Sequence, residues 1–137
     1  LYSIANASDL TVISRNKRMQ EAREIQISFG KVVKNIPSKG NYGTTVLVKD
    51  LFRNLPVRKK FLNTERGEAL AIKNLIKKIS LAYPDISFFY SENNKEKLSF
   101  SGSETNDSEA KRVAAVLGQD FIKSSFYIEK NFSLYSI

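Results

Sequence analysis

The N-terminal part of the chain alternates between apolar and polar side chains, as half-buried β-strands do. Residues 10–14 form a β-branched run, and residues 25–29 place Ile, Ile and Phe at every second position. After a turn at residues 30–31 the apolar positions resume over 32–36, which predicts a hairpin, and residues 44–49 form a further strand. The pattern therefore predicts a run of strands before any long helix.

A change to a period of about 3.6 residues then predicts one long helix over residues 65–81. Glu65 and Glu68 occupy its first turn, where the helix dipole favours carboxylates, and Pro84 ends the element. The helix is predicted to be amphipathic, with one apolar stripe formed by Ile72, Leu75, Ile76 and Ile79. The opposite face carries the polar residues Lys73, Asn74, Lys77 and Lys78.

Short strands return after the helix. Residues 86–90 and 98–100 alternate again, and the asparagines at 93–94 supply the turn of a second hairpin. Residues 101–108 are polar and hold no large apolar side chain, which predicts a linker. Strands, a helix, strands and further elements in this order predict a mixed α+β fold.

The last part of the chain is predicted to contain two more elements. A short amphipathic helix over residues 110–117 is stopped by Gly118. Residues 126–129 and 132–137 then form a final hairpin. The chain shows no internal repeat and no low-complexity tract.

The chain contains no Cys and no His. This excludes thiol and imidazole nucleophiles, histidine general bases and zinc sites built from these ligands. No stretch approaches the roughly 18 consecutive apolar residues of a membrane span, so no membrane partner is expected. The chain is poorly equipped as a free-standing enzyme, and no catalytic or metal-binding residue is predicted in it.

The formal net charge of +8 is concentrated in one part of the chain. Residues 53–78 carry a net +6, because Glu65 and Glu68 oppose eight cations: Arg53, Arg58, Lys59, Lys60, Arg66, Lys73, Lys77 and Lys78. Such a concentration of positive charge favours binding to a phosphate backbone. A solvated surface that only keeps the protein soluble is the alternative, and composition alone does not decide between the two.

Residues 43–62 read GTTVLVKDLFRNLPVRKKFL. This closely resembles the signature of the MutL family of DNA mismatch repair proteins, G-T-x-V-x-V-x-D-L-F-x-N-x-P-A-R-x-K-F-L, although Val57 replaces the usual Ala. The first residues, LYSIANAS, resemble the stretch that begins with the last Leu of the family motif G-F-R-G-E-A-L, and they are predicted to end a helix. The resemblance covers the whole chain and implies an internal fragment of a longer protein.

The resemblance also implies an architecture. Residues 1–101 would be the back half of a GHKL-type ATPase α/β sandwich, the fold shared by gyrase, chaperone, histidine kinase and MutL proteins. Residues 102–108 would be the linker, and residues 109–137 the first elements of a ribosomal-protein-S5-like transducer domain. The parent protein is then expected to bind ATP and Mg²⁺, and to act in the nucleus of a eukaryote or in the cytoplasm and nucleoid of a bacterium.

In the family, the Gly-Thr pair is the last of four ATP-site motifs, so the resemblance assigns Gly43 and Thr44 to the adenine end of the pocket. A glycine lets the backbone approach a ligand, and a hydroxyl can bond to a purine. From the residues alone, the alternative is that Gly43 opens a strand and Thr44 is a β-former. The family's catalytic and magnesium-binding residues lie outside the matched positions, so the chain alone is expected neither to hydrolyse ATP nor to bind it tightly.

The resemblance further implies DNA binding. Lys60 and Lys78 match family DNA-contact positions, whereas Asn63 stands where some relatives carry Arg. The full predicted DNA-binding set is Arg58, Lys59, Lys60, Lys73, Lys77 and Lys78. The parent would be an ATP-dependent matchmaker that pairs with a MutL-family paralogue, or with itself, and works with a MutS-type mismatch sensor. A stand-alone basic nucleic-acid-binding module without nucleotide binding is the alternative.

Aromatic residues near these cations could stack on bases, but burial in the core is the simpler interpretation. Phe52, Phe61 and Leu62 are therefore predicted to be core residues, and so is the aromatic run at 88–90. Arg15, Lys17 and Arg18 are expected to lie in a solvated loop.

Overall fold

The computed structural model describes residues 1–105, 107–126 and 128. Helices and antiparallel strands are both present, so the α+β prediction is confirmed. The chain divides into two compact units, Leu1–Leu62 and Asn63–Ile137. The predicted hairpin over residues 126–137 falls largely outside the described residues, and the domain boundaries drawn around residues 102–108 stay predictions.

The first unit is a four-stranded antiparallel sheet with a short helix at each end of its sequence. The strands lie in the order β3-β2-β1-β4, so all of the strands predicted in this part of the chain are present. The elements are α1 (Tyr2–Ala5), β1 (Asp9–Arg15), β2 (Ala22–Ser28), β3 (Lys31–Ser38), β4 (Gly43–Lys49) and α2 (Pro56–Lys60).

Small residues between α1 and β1 form the most enclosed part of this unit. Ala5, Ala7 and Ser8 are buried, as is Leu10 in β1. The Ser8 hydroxyl donates to the Ile4 carbonyl at 2.7 Å. Backbone amides of later loops donate to the carbonyls of residues 5, 7 and 8, which fixes the loops at this end of the sheet. Small side chains are needed here because the backbones approach closely.

One face of the sheet is apolar, as the alternation predicts. In the β1–β4 register, Leu10 lies opposite Val48 and Val12 lies opposite Val46. Leu10 is 2% exposed, whereas Val46 and Val48 at the β4 edge are 40% and 42% exposed. The apolar face is therefore buried near α1 and partly exposed to solvent along β4.

The second unit combines helices with a two-stranded hairpin. Its elements are α3 (Glu65–Ala82), β5 (Phe88–Glu92), β6 (Lys95–Phe100), α4 (Ser108–Leu117) and α5 (Gln119–Lys123). The Thr64 hydroxyl caps α3 by accepting from the Gly67 amide at 3.2 Å. Asn93 and Asn94 turn the hairpin with φ angles of 51° and 60°, as a tight primed turn requires. The predicted helices and hairpin are confirmed, and α5 was not predicted.

The orientation of α3 differs from the prediction. Ile72, Leu75 and Ile79 are 45%, 57% and 40% exposed. The helix instead buries the small residues Ala69 and Ser80. Small side chains let the neighbouring elements approach closely, so they decide which side of this helix is enclosed.

Several aromatic and apolar residues predicted to be core are exposed. Phe61 is 82% exposed and Leu62 41% exposed, while Phe52 is half-buried. Phe89 is 67% exposed because side chains alternate along β5, which places it on the face opposite Phe88. Among the described helices, none is long and apolar enough to cross a membrane.

Candidate functional site

Gly43 opens β4 in a conformation that favours glycine. Its φ is +110°, a region that L side chains rarely adopt. A Cβ atom added there would meet no other atom within 4 Å. The position thus combines a backbone conformation suited to glycine with open space beside it, as the close approach of a ligand requires.

Thr44 is paired with a second hydroxyl that the sequence pattern did not single out. The Oγ atoms of Thr44 and Ser14 lie 2.8 Å apart, and the two residues are opposite each other in the β1–β4 register. The next pair on the same face is Val12 and Val46. Two exposed hydroxyls therefore lie beside an apolar floor, which suits the polar edge and flat face of a heterocycle. Finding Ser14 required the strand register.

Arg15 lies at the end of β1 and not in a loop, which corrects the prediction. Its Nε donates to the Met19 carbonyl at 3.2 Å and its Nη1 to the Gly40 carbonyl at 3.3 Å. The guanidinium stacks over the Tyr42 ring, 4.6 Å from its centroid. A cleft of about 620 Å³ opens beside Arg15, but neither Gly43 nor Thr44 lines it.

The short helix α2 concentrates positive charge in its last turn. Pro56 begins the helix, where its missing amide costs nothing, and its last turn consists of Arg58, Lys59 and Lys60. All three side chains are exposed. Among the described residues, none of the three forms a salt bridge. The turn can therefore present its full charge to an anionic partner.

Arg53 belongs to the same basic stretch of sequence, but it already pairs with two carboxylates. Its guanidinium bridges Asp9 at 3.1 Å and Asp50 at 3.3 Å. It also lies 4.9 Å from the centroid of the Phe29 ring. These contacts make Arg53 a structural residue that joins β1 to the turn after β4.

The three predicted lysines of α3 differ in their surroundings. Lys73 pairs with Glu92 of β5 at 3.0 Å and lies 5.9 Å from the Tyr90 ring centroid. Lys77 is half-buried, and Lys78 is exposed. Of the three, Lys78 is best placed to meet an anion, because a paired lysine would have to leave its carboxylate first. The carboxylate that pairs with Lys73 belongs to β5, far along the sequence, so the residues of α3 alone do not predict this pair.

The described residues do not group their carboxylates into a metal site. Among them, no cluster of three Asp or Glu side chains could hold a metal ion.

No protein-family profile matches the chain. The similar curated proteins, in contrast, are DNA mismatch repair proteins. A DNA mismatch repair protein MutL from Bartonella tribocorum is 36% identical over 130 residues, which is 94% of this chain and 21% of that protein. The MutL of Allorhizobium ampelinum is 41% identical over 121 residues, 88% of this chain and 19% of that protein. The chain thus spans about a fifth of the length of these curated relatives.

Solved structures give the same result. The Aquifex aeolicus MutL ATPase domain complexed with ADP superposes with a TM-score of 0.78 at 34% identity, covering 85% of this chain and 47% of that chain. The N-terminal domain of a DNA repair protein superposes with a TM-score of 0.74 at 24% identity, covering 93% of this chain and 38% of that one. The second likeness shows the fold alone.

Proposed function

Because the chain belongs to the MutL family of DNA mismatch repair proteins, we propose that it works as part of an ATP-dependent DNA mismatch repair protein. Its fold is part of the MutL ATPase domain. Within that domain the proposed contributions are one edge of the nucleotide pocket, through Gly43 and Thr44, and a basic segment that binds DNA. The elements after residue 108 are proposed to begin the transducer domain.

The nucleotide proposal rests on the start of β4. The solved Aquifex MutL ATPase domain is described as complexed with ADP. In this chain Gly43 offers open space, and the hydroxyls of Thr44 and Ser14 are 2.8 Å apart beside the apolar pair of Val12 and Val46. These residues fit the adenine end of ATP. The reactive part of the nucleotide is its phosphoanhydride, which binds together with Mg²⁺. The described residues offer no cluster of carboxylates for the magnesium ion, so no residue is proposed as its ligand.

The DNA-binding proposal is carried by one observation: Arg58, Lys59 and Lys60 are exposed and pair with no carboxylate among the described residues. Cations that have no protein partner gain most from a phosphate backbone, because binding releases counterions from the DNA. Lys78, exposed on α3, is proposed to act in the same way. Lys73 and Lys77 are proposed as weaker contacts, since Lys73 is paired with Glu92 and Lys77 is half-buried.

Charge reversal of α2 tests the DNA-binding proposal. The variant Arg58→Glu, Lys59→Glu, Lys60→Glu is compared with the unaltered chain by fluorescence anisotropy on a labelled DNA duplex at several salt concentrations. We expect binding at low salt to weaken by at least about tenfold, and the salt slope to fall by about 0.9 for each phosphate that is no longer neutralised. Lys78→Glu alone should give a smaller change in the same direction.

The matched control reverses three exposed cations elsewhere in the first unit, so that the net charge changes equally: Lys17→Glu, Arg18→Glu and Lys31→Glu. The control should retain most of the affinity. Equal loss in both triple variants would mean that only the net charge matters. Unchanged affinity in the α2 variant would show that its cations serve solubility alone.

The wider assignments follow from the family. The parent is proposed to pair with a MutL-family paralogue or with a second copy, and to cooperate with a MutS-type sensor. Its place of action would be the nucleus of a eukaryote or the cytoplasm and nucleoid of a bacterium. Bacterial MutL proteins among the relatives favour the second.

A further inference from the structure

Arg112 of α4 is an unusually enclosed charged side chain. It is 3% exposed, whereas its neighbour Lys111 is exposed. Among the described residues, no carboxylate lies within salt-bridge distance of its guanidinium. Burying a charge without a counterion is costly unless other polar groups replace its water. The surroundings of Arg112 must therefore provide that replacement.

Backbone carbonyls take the place of the counterion. The guanidinium donates to five of them: Ser80 at 2.8 Å, Ile86 at 2.8 Å, Ser101 at 3.1 Å, Pro84 at 3.2 Å and Tyr83 at 3.4 Å. They belong to the end of α3, the loop after it and the residue that follows β6. A single side chain thus ties α4 to two segments that are distant in sequence, residues 80–86 and Ser101.

Two of these carbonyls lie at the C-terminal end of α3, where a positive charge is favourable. Ser80 lies in the last turn of α3 and Tyr83 is its C-cap residue, and no basic residue lies in that turn. The C-terminal end of a helix carries partial negative charge that a cation stabilises. Arg112 supplies the missing cation from α4.

Aromatic rings complete the enclosure. Phe88 and Phe100 face each other across the β5–β6 hairpin, and the Arg112 guanidinium lies 5.6 Å from the centroid of each ring. Phe100 is 5% exposed. A planar guanidinium can lie over rings while the five donors at its edge reach carbonyls in several directions, whereas an ammonium group has only three donors on a single atom.

We propose that Arg112 is a positioning residue that latches α4, and the chain after it, onto the end of α3 and the β5–β6 hairpin. The polar segment before α4 is then a closed strap and not a free linker. Its first residues are already held, since the Gly102 amide donates to the Ser87 hydroxyl at 2.8 Å and the Ser103 amide to the Pro84 carbonyl at 3.2 Å. The contacts of Arg112 include none of the residues proposed to bind nucleotide or DNA, so the latch is argued independently of the proposed function.

Pulsed electron paramagnetic resonance on the full chain tests the latch. The chain has no Cys, so spin labels can be placed at Lys78→Cys on α3 and Ala115→Cys on α4, both of them exposed sites. With Arg112 present, we expect one narrow distance distribution. Arg112→Met and Arg112→Lys should both broaden it, because Met has no donor and Lys has three donors on one atom, which cannot replace the planar fork that spans these carbonyls. Lys111→Met is the matched control and should leave it narrow.

Two further readouts separate a latch from general stability. Hydrogen exchange of the amides in residues 108–117 should become at least about tenfold faster in Arg112→Lys, while the strands β1 to β4 stay protected. In Arg112→Gly, added methylguanidinium should narrow the distance distribution again. If Arg112→Met does not fold, Arg112→Lys and this rescue decide the question. A narrow distance in Arg112→Lys, or no response to methylguanidinium, would overturn the proposal.

Discussion

Glu24 in β2 is the residue whose protonation the structure changes most clearly. Its carboxylate accepts from Lys34 Nζ at 3.0 Å, from the Ser38 hydroxyl at 3.0 Å and from Gln26 Nε2 at 2.7 Å. The hydrogen bond from Lys34 is the largest cause that lowers the pKa of Glu24 below its ordinary value of 4.5. The charged form is thus favoured in the folded protein, so the stability of the β2–β3 hairpin depends on pH.

Glu24→Gln should therefore destabilise the chain in a pH-dependent way. A carboxylate whose pKa is lower in the folded state stabilises the fold above its unfolded pKa of about 4.5, and this stabilisation is lost as the pH falls through the folded pKa. We expect the free energy of unfolding of the variant to be lower at pH 7 and to converge with that of the unaltered chain at pH values below the folded pKa. Urea denaturation across this range checks it, with the exposed Glu21→Gln as control. A constant difference at all pH values would contradict the linkage.

At the level of single residues, the sequence predicted the exposure of cations but not that of apolar residues or the pairing of side chains. Lys60 and Lys78 are exposed, but so is Phe61, which was predicted to be a core residue. Lys73 was placed in the same group, yet it is neutralised by Glu92 on a later strand. The contact between Ser14 and Thr44 depends on the strand register, which joins residues that are 30 positions apart in the sequence. Side-chain pairs between distant segments depend on tertiary geometry, which composition and spacing do not contain.

At the level of elements, the local signals were sufficient to locate nearly every helix and strand. Alternation and β-branched runs located β1 to β6, and α3 begins at Glu65, where the acidic first turn was predicted. Periodicity did not predict which side of α3 is enclosed, since the buried Ala69 and Ser80 have weak hydrophobic signals. The short α5 was missed because five residues carry too little periodicity to be recognised.

The cap of α3 gives an element-scale prediction. The Thr64 hydroxyl accepts from the Gly67 amide, one of the amides that have no partner inside the helix. Thr64→Ala should lower the free energy of unfolding of the second unit by about 1 kcal/mol. Thr64→Ser keeps the hydroxyl and should keep most of the stability. Thermal and urea denaturation followed by circular dichroism measure the difference, and equal losses in the two variants would show that the cap contributes nothing.

At the scale of the whole molecule, the sequence predicted the family and the fold class. The domain boundary drawn at the polar residues 102–108 stays a prediction, and the compact units divide at a different place, between Leu62 and Asn63. At the start of the polar segment, the Ser101 carbonyl accepts a hydrogen bond from Arg112, a contact that residue types alone do not predict. Polar composition indicates exposure to water, and it does not by itself indicate a free hinge.

The isolated 137-residue chain should neither hydrolyse ATP nor bind it tightly. Gly43, Thr44 and Ser14 can contact only one end of the nucleotide, and a single edge of a pocket buries too little of a ligand for high affinity. Phosphate release with Mg²⁺ present should equal that of buffer, and calorimetry should detect at most weak binding. Thr44→Val should abolish that weak binding, whereas Thr45→Val, on the opposite face of β4, should leave it unchanged. An ATPase rate that disappears in Thr44→Val and persists in Thr45→Val would show that this chain contains a working active site.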